Sequence, residues 1–203
     1  RVGGIASSAN GLLARFVPTA VFDYALPGRI GGRGVMLARF GEGDSAWVLG
    51  VTHLSLGVAA RRAQLDFLGE LFADHPRAVL MGDFNCPANA REMEGLYRRT
   101  ALMPPPAALA TFPSWEPKRS LDHVFTAGFA VRDYRALPAA GSDHLAVALD
   151  LDPDRVREAA AAGETVVYGD AARRETLVAA GVLRAAALII SYADTASSLK
   201  VLH

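Results

Sequence analysis

The chain has 203 residues, 51% hydrophobic and 21% charged, and its 21 Lys and Arg cancel its 21 Asp and Glu. That size accommodates one full domain, or one domain and part of a second, with ample apolar material for a core. The neutral balance argues against nucleic-acid packaging, where a basic surplus supplies affinity. A single cysteine, Cys86, rules out an internal disulfide framework. No apolar run approaches the ~18 residues of a membrane span, and no secretory leader pattern opens the chain, so a cytoplasmic protein is expected.

In chain order, the alternation predicts strands over Gly34 to Phe40 and Ala46 to Leu54, joined by a hairpin loop from Phe40 to Asp44. Ala59 to Asp74 places Leu65, Phe67, Leu68, Leu71 and Phe72 among Arg and Glu, the pattern of an amphipathic helix that His75-Pro76 stops. Ala78 to Met81 reads as a short buried strand broken by Gly82, and Arg91 to Arg99 as helical. The three prolines after Met103 make a loop. Leu121 to Phe125 and Leu145 to Leu151 read as strands. Beyond Pro153 the pattern changes: helix over Asp154 to Ala162, strand over Thr165 to Tyr168, helix over Ala172 to Ala180, strand over Ala186 to Ser191. Such alternation suggests a parallel, Rossmann-like sheet.

Four segments carry chemistry: Thr52-His53-Leu54, Gly82-Asp83-Phe84-Asn85, Ser120-Leu121-Asp122-His123 and Ser142-Asp143-His144. Each sets an Asp, Asn or His at the end of an apolar strand, where side chains leave a rigid sheet and converge on one cleft. Singly, each has a plain reading: a hydrogen-bonded histidine, or an acid making a turn. Cys86, next to Asn85, reads as a small buried thiol.

In this order and spacing the four segments resemble the endonuclease/exonuclease/phosphatase superfamily, whose signature is a TH-type strand end, GDFN, a strand opening with (L/I)D, and SDH before the closing strand. Arg61, Arg62 and Gln64 fit its R-x-x-Q helix, Thr111-Phe112-Pro113 its T-(F/Y)-P segment, Asn10 to Arg15 its GNALLSR strand, and Leu26-Pro27 with Arg33-Gly34 its LP…RG pair. The resemblance implies a four-layer αββα DNase I-like sandwich over residues 1–149. It also implies a phosphoester hydrolase using Mg²⁺ or Mn²⁺, ions that prefer hard oxygen ligands. His144 would be general base or electrostatic partner, oriented by Asp122. Asp143 would be a metal ligand, Asp83 would orient the attacking water or a metal, and Asn85 would donate to a phosphoryl oxygen. His53 would be an acid for the leaving group. His123, on the opposite face by alternation, is expected to be structural. The family's Asn strand and metal-binding Glu strand should precede Asn10, so the sandwich is expected to be incomplete there, with impaired activity and an exposed sheet edge open to association.

Leu149 to Val156, Val166 to Ala171, Leu177 to Gly181 and Ala187 to Ser191 resemble the NAD-binding RCK (TrkA-N) domain of potassium efflux antiporters and channels. The resemblance implies a partial Rossmann-like βαβαβ segment over 150–203, with Asp150 or Asp152 at a ribose and Asp170 near the adenine of NAD or AMP. Nothing matches G-x-G-x-x-G, so the plain expectation is a fragment that packs without a ligand. The leading function is a hydrolase of a nucleic acid, inositol phosphate or phospholipid headgroup. The alternatives are a nucleotide-sensing module tied to potassium transport and a non-functional fusion of two fragments.

Overall fold

The computed structural model describes residues 9–28, 32–138, 141–152, 165–168 and 187–192. Two five-stranded sheets are stacked. One has the order β2 (Ala20–Ala25), β3 (Gly34–Phe40), β4 (Trp47–His53), β5 (Ala78–Asp83), β6 (Asp122–Ala127). The other runs β1 (Ala9–Ala14), β10 (Ala187–Tyr192), β9 (Thr165–Tyr168), β8 (Val147–Asp152), β7 (Ala130–Ala136).

Side-chain alternation sorts the strands of the first sheet between two cores. Leu49, Val51, Val79, Met81 and Val124 face the second sheet and meet Val147, Leu149 and Leu151 of β8. The opposite face carries Val35, Leu37, Val48, Leu80 and Phe125, covered by α1 (Val58–Phe72) and, after a 3-10 turn at Arg91–Met93, by α2 (Glu94–Arg99). The buried stripe of α1, Arg61, Gln64, Leu65, Leu68, Gly69 and Phe72, follows the three-and-four spacing of one helical face. A Cβ on Gly50 would come within 2.5 Å of the Phe72 ring, so the absence of a side chain there lets α1 settle onto β4. Among the described residues, no helix is long and apolar enough to cross a membrane.

Strands β1, β2 and β7 go beyond the periodicity: β2 and β7 are terminal strands of mixed polarity with no fully buried residue, so no clean alternation marks them. The predicted helices over 154–162 and 172–180 lie outside the described residues. The tail strands differ in part from a parallel sheet. β9 and β10 are parallel, but β8 and β9 are antiparallel, with Val147 opposite Tyr168 and Asp150 opposite Thr165. Local β-α-β order sets which elements follow each other; strand direction depends on the partner reached through space. In this sheet β9 and β10 lie between β8 and β1, and β1 and β7 are its terminal strands.

Candidate active site at the strand ends

Backbone register alone aligns three of the predicted residues. β4 and β5 run parallel with His53 opposite Asp83, and β5 and β6 run antiparallel with Asp83 opposite Asp122. Each points toward the second sheet by alternation with Val51, Met81 and Val124. The row is kept tight by Gly82, at φ 144°, where a Cβ would lie 1.8 Å from the Thr52 carbonyl oxygen. His144 comes from the other sheet, three residues ahead of β8, and meets the row at Asp122.

That meeting is a hydrogen bond: Nδ1 of His144 donates to Oδ2 of Asp122 at 2.7 Å. The same oxygen accepts from the buried Thr111 hydroxyl. Phe112 lays its ring 4.8 Å from the imidazole of His144, centroid to centroid. The Thr111 loop is tied to the Ser142 turn by bonds from Ser114 N to the Asp143 carbonyl and from Leu145 N to the Thr111 carbonyl. The imidazole is therefore fixed by an acid beneath it and a ring beside it. Burial by itself lowers the His144 pKa, but the hydrogen bond to Asp122 and the charges of Asp122, Asp83 and Asp143 outweigh it, and the net shift is upward.

Asp83 is held from both sides. Its Oδ1 accepts the Asn85 backbone N–H at 2.9 Å, and Oδ2 lies 3.2 Å from Nε2 of His53. Burial would raise its pKa, yet the hydrogen bond and charge of His53, the Asn85 N–H and the more distant His144 lower it on balance. The ionised form prevails.

Asn85 sits at the junction of the two strand ends. It adopts φ 53°, a left-handed conformation that Asn tolerates, and its Nδ2 donates to the Leu54 carbonyl at 2.9 Å and to Asp83 Oδ2 at 3.3 Å. The side-chain amide thus bridges the ends of β4 and β5. His123 is structural as alternation predicts: buried on the helix side, its Nε2 donates to the Cys86 carbonyl at 2.8 Å. Burial lowers its pKa, and burial also pushes the Cys86 thiol up to about 12. Arg61 and Gln64 build the loop after His53. Arg61, itself buried, pairs with the partly buried Glu92 and donates to the Ser55 and Leu56 carbonyls, while Gln64 bonds Ser55 and the Pro27 carbonyl.

Arg33 was visible in sequence only as part of a strand-opening pair. It stands at the mouth of β3, half-buried; desolvation lowers its pKa, with Asp83 the charge that opposes this. Thr111 likewise belongs to the Thr111-Phe112-Pro113 segment, but its contact with Asp122 depends on a long loop folding back.

Among the described residues, no group of three or more His, Cys, Asp or Glu is placed to hold a metal ion. The oxygens of Asp83 are engaged as above, and Asp143 is exposed on its turn. These donors do not compose the oxygen shell that Mg²⁺ demands. Of the acids expected at a nucleotide, Asp150 is engaged by Arg135, its carboxylate 3.2 Å from the guanidinium. The side chain of Asp152 and all of Asp170 lie outside the described residues.

Two family models match the sequence: the Endonuclease/Exonuclease/phosphatase family over residues 4–144 and the TrkA-N domain over residues 133–203. No curated protein matches. Solved structures share the fold. An endonuclease/exonuclease/phosphatase family protein from Bacteroides thetaiotaomicron is 17% identical with TM-score 0.56, over 70% of this chain and 72% of that one. A mannosyl-6-phosphatase from Bacteroides thetaiotaomicron VPI-5482 is 16% identical with TM-score 0.53, over 72% of this chain and 77% of that one. The catalytic domain of human Nocturnin, with a bound sulfate anion, is 14% identical with TM-score 0.53, over 72% of each chain.

Proposed function

Because this chain belongs to the endonuclease/exonuclease/phosphatase family, we propose that it hydrolyses phosphoesters at the row formed by His53, Asp83, Asp122 and His144. The observation that carries the reading is the contact between Asp122 and His144 across the two sheets. A carboxylate on Nδ1 leaves Nε2 as the working nitrogen and favours the imidazolium. In that form His144 supports the charge that builds on non-bridging oxygens in the transition state; in the neutral form it accepts a proton from the attacking water.

Asp83, ionised and fixed by the Asn85 N–H, is the group that orients that water. His53, within 3.2 Å of Asp83, is the proton donor to the leaving oxygen. Arg33 adds a guanidinium at the mouth of the same row, suited to two oxygens of one phosphate. Asp83 and Asp143 are the carboxylates to which Mg²⁺ or Mn²⁺ would bind, and such an ion would supply further neutralisation of phosphate charge. The described donors leave its shell short, so the steps above are assigned to side chains alone.

The mannosyl-6-phosphatase among the structural neighbours supports a phosphorylated small molecule as one substrate class. Nucleic acids, inositol phosphates and phospholipid headgroups are the others. The test is turnover of bis(4-nitrophenyl) phosphate and 4-nitrophenyl phosphate with added Mg²⁺ or Mn²⁺. Hydrolysis should fall by about 10²-fold or more in His144→Ala and in Asp83→Ala. Undiminished turnover in both variants would remove this reading.

A further inference from the structure

The sheet that carries β8, and with it His144, continues into the last quarter of the chain. β9 is hydrogen-bonded to β8 on one side and to β10 on the other, and β10 pairs with β1 from Ala9 opposite Tyr192 to Ala14 opposite Ala187. The tail strands therefore lie between two strands of the body. β1 is the last strand of its sheet, and β10 is its one hydrogen-bonded strand neighbour among the described residues.

Strand direction decides what the tail can do. Val147, three residues past His144, is opposite Tyr168, so β9 ends on the side of the site. β10, parallel to β9, ends there too, with Ser191 opposite Asn10. Asn10 Nδ2 donates to the Gly34 carbonyl at 2.9 Å, and the Thr52 hydroxyl reaches the same oxygen at 3.1 Å, one residue before His53. A hydrogen-bonded path thus runs from the end of β10 through Asn10 to the base of the catalytic row. A nucleotide crevice of the doubly wound kind instead needs parallel neighbours whose ends open together at a switch in strand order. The β8–β9 pair is antiparallel, and Asp150, the acid offered to a ribose, sits at the far end of β8 in an ion pair with Arg135.

We propose that the segment matched by the TrkA-N model is a wall of the hydrolase cleft, added strand by strand to the sandwich within one chain, and not a separate nucleotide-binding module. The boundary near residue 150 then divides two sequence patterns inside one folded body. Only the activity arm of the test rests on the phosphoester-hydrolase reading.

In the full-length chain, cysteine pairs at Leu12 and Ile189, and separately at Leu13 and Leu188, test the register. One of two adjacent antiparallel pairs has Cα atoms about 4.5 Å apart and the other about 5.5 Å, both within disulfide reach. The buried Cys86 does not compete. Mild oxidation should give an intramolecular disulfide in at least one pair and little in a Leu13→Cys, Ile190→Cys control, with turnover kept within about twofold. Ile190→Pro, which removes a backbone donor from β10, should lower turnover by about tenfold or more through loss of support for β1. Failure of both pairs to cross-link, a disulfide that abolishes the turnover of the reduced chain, an unaffected Ile190→Pro enzyme, or saturable NAD binding would each overturn the proposal. Cross-linking in a chain without any phosphoester turnover would uphold the tail's place in the sheet and sink the hydrolase reading instead.

Discussion

Asp122 and His144 come from opposite sheets, and their 2.7 Å hydrogen bond is the point at which the sandwich closes over the site. Correct placement of one imidazole therefore depends on how the two sheets pack. Asp122→Asn keeps the size of the side chain but loses the charge that favours the imidazolium and the Nδ1–H tautomer. The expected result is a fall in kcat on the order of 10²- to 10⁴-fold with little change in KM. Thr111→Val, which removes only the hydroxyl bonded to Asp122, should cost about tenfold and shift the basic limb of the pH–rate profile. Wild-type kcat in Asp122→Asn would show that the imidazole works unaided.

Two histidines should give the melting temperature a maximum in pH. The folded chain raises the pKa of His144, so it binds that proton more tightly than the unfolded chain does. This stabilisation is complete below the unfolded value, about 6.5, and is lost as pH rises through the folded value. His123 behaves oppositely. Its pKa is lowered by burial, so stability is complete above about 6.5 and is lost as pH falls toward the folded value. His75, also lowered by burial, adds to the acid arm. Calorimetry should therefore find a maximum near pH 6.5, with the alkaline arm flattened in His144→Gln and the acid arm reduced in His123→Gln. A profile in which neither variant alters its own arm would contradict the assignment.

Much of the proposed row is legible because its members close apolar strands: His53 after Val51, Asp83 after Met81, His144 before Val147. Alternation alone separates Asp122 from His123, and the structure puts them on opposite faces. What periodicity misses is non-local. The Thr111 hydroxyl reaches Asp122 only because a proline-rich loop returns to β6. The bond from the Asn85 amide to the Leu54 carbonyl likewise depends on the pairing of β4 with β5. β8 reads equally well as the closing strand of one pattern and the second strand of another, and it serves both neighbours at once, β7 and β9.

The Arg61–Glu92 pair illustrates a residue whose family pattern suggests function and whose contacts are structural. Arg61 is buried and Glu92 partly so, and the guanidinium also caps the Ser55 and Leu56 carbonyls that shape the loop behind His53. Arg61→Ala leaves the partly buried Glu92 without its partner and two loop carbonyls without their donor, a destabilisation approaching the roughly 3–5 kcal/mol of a broken buried pair. Urea denaturation should register that loss, while the enzyme that remains folded keeps the parent's pH–rate limbs. A fully stable Arg61→Ala chain with altered limbs would instead place Arg61 at the substrate.

Magnesium affinity follows from the same accounting of donors. Mg²⁺ gives up water reluctantly and needs near-octahedral oxygen ligands. Here Asp83 has one oxygen on the Asn85 amide and the other facing His53, and Asp143 stands exposed on its turn. Moving Asp83 onto an ion would sacrifice those contacts, and one further carboxylate offers little in return. Titration calorimetry should give a Kd for Mg²⁺ on the order of millimolar or weaker, and EDTA should leave the melting temperature unchanged. Asp143→Asn should weaken the binding further without altering stability. A micromolar Kd would mean that donors beyond the described residues complete the shell, and the roles given above to His144 and Arg33 in neutralising phosphate charge would then pass largely to the ion.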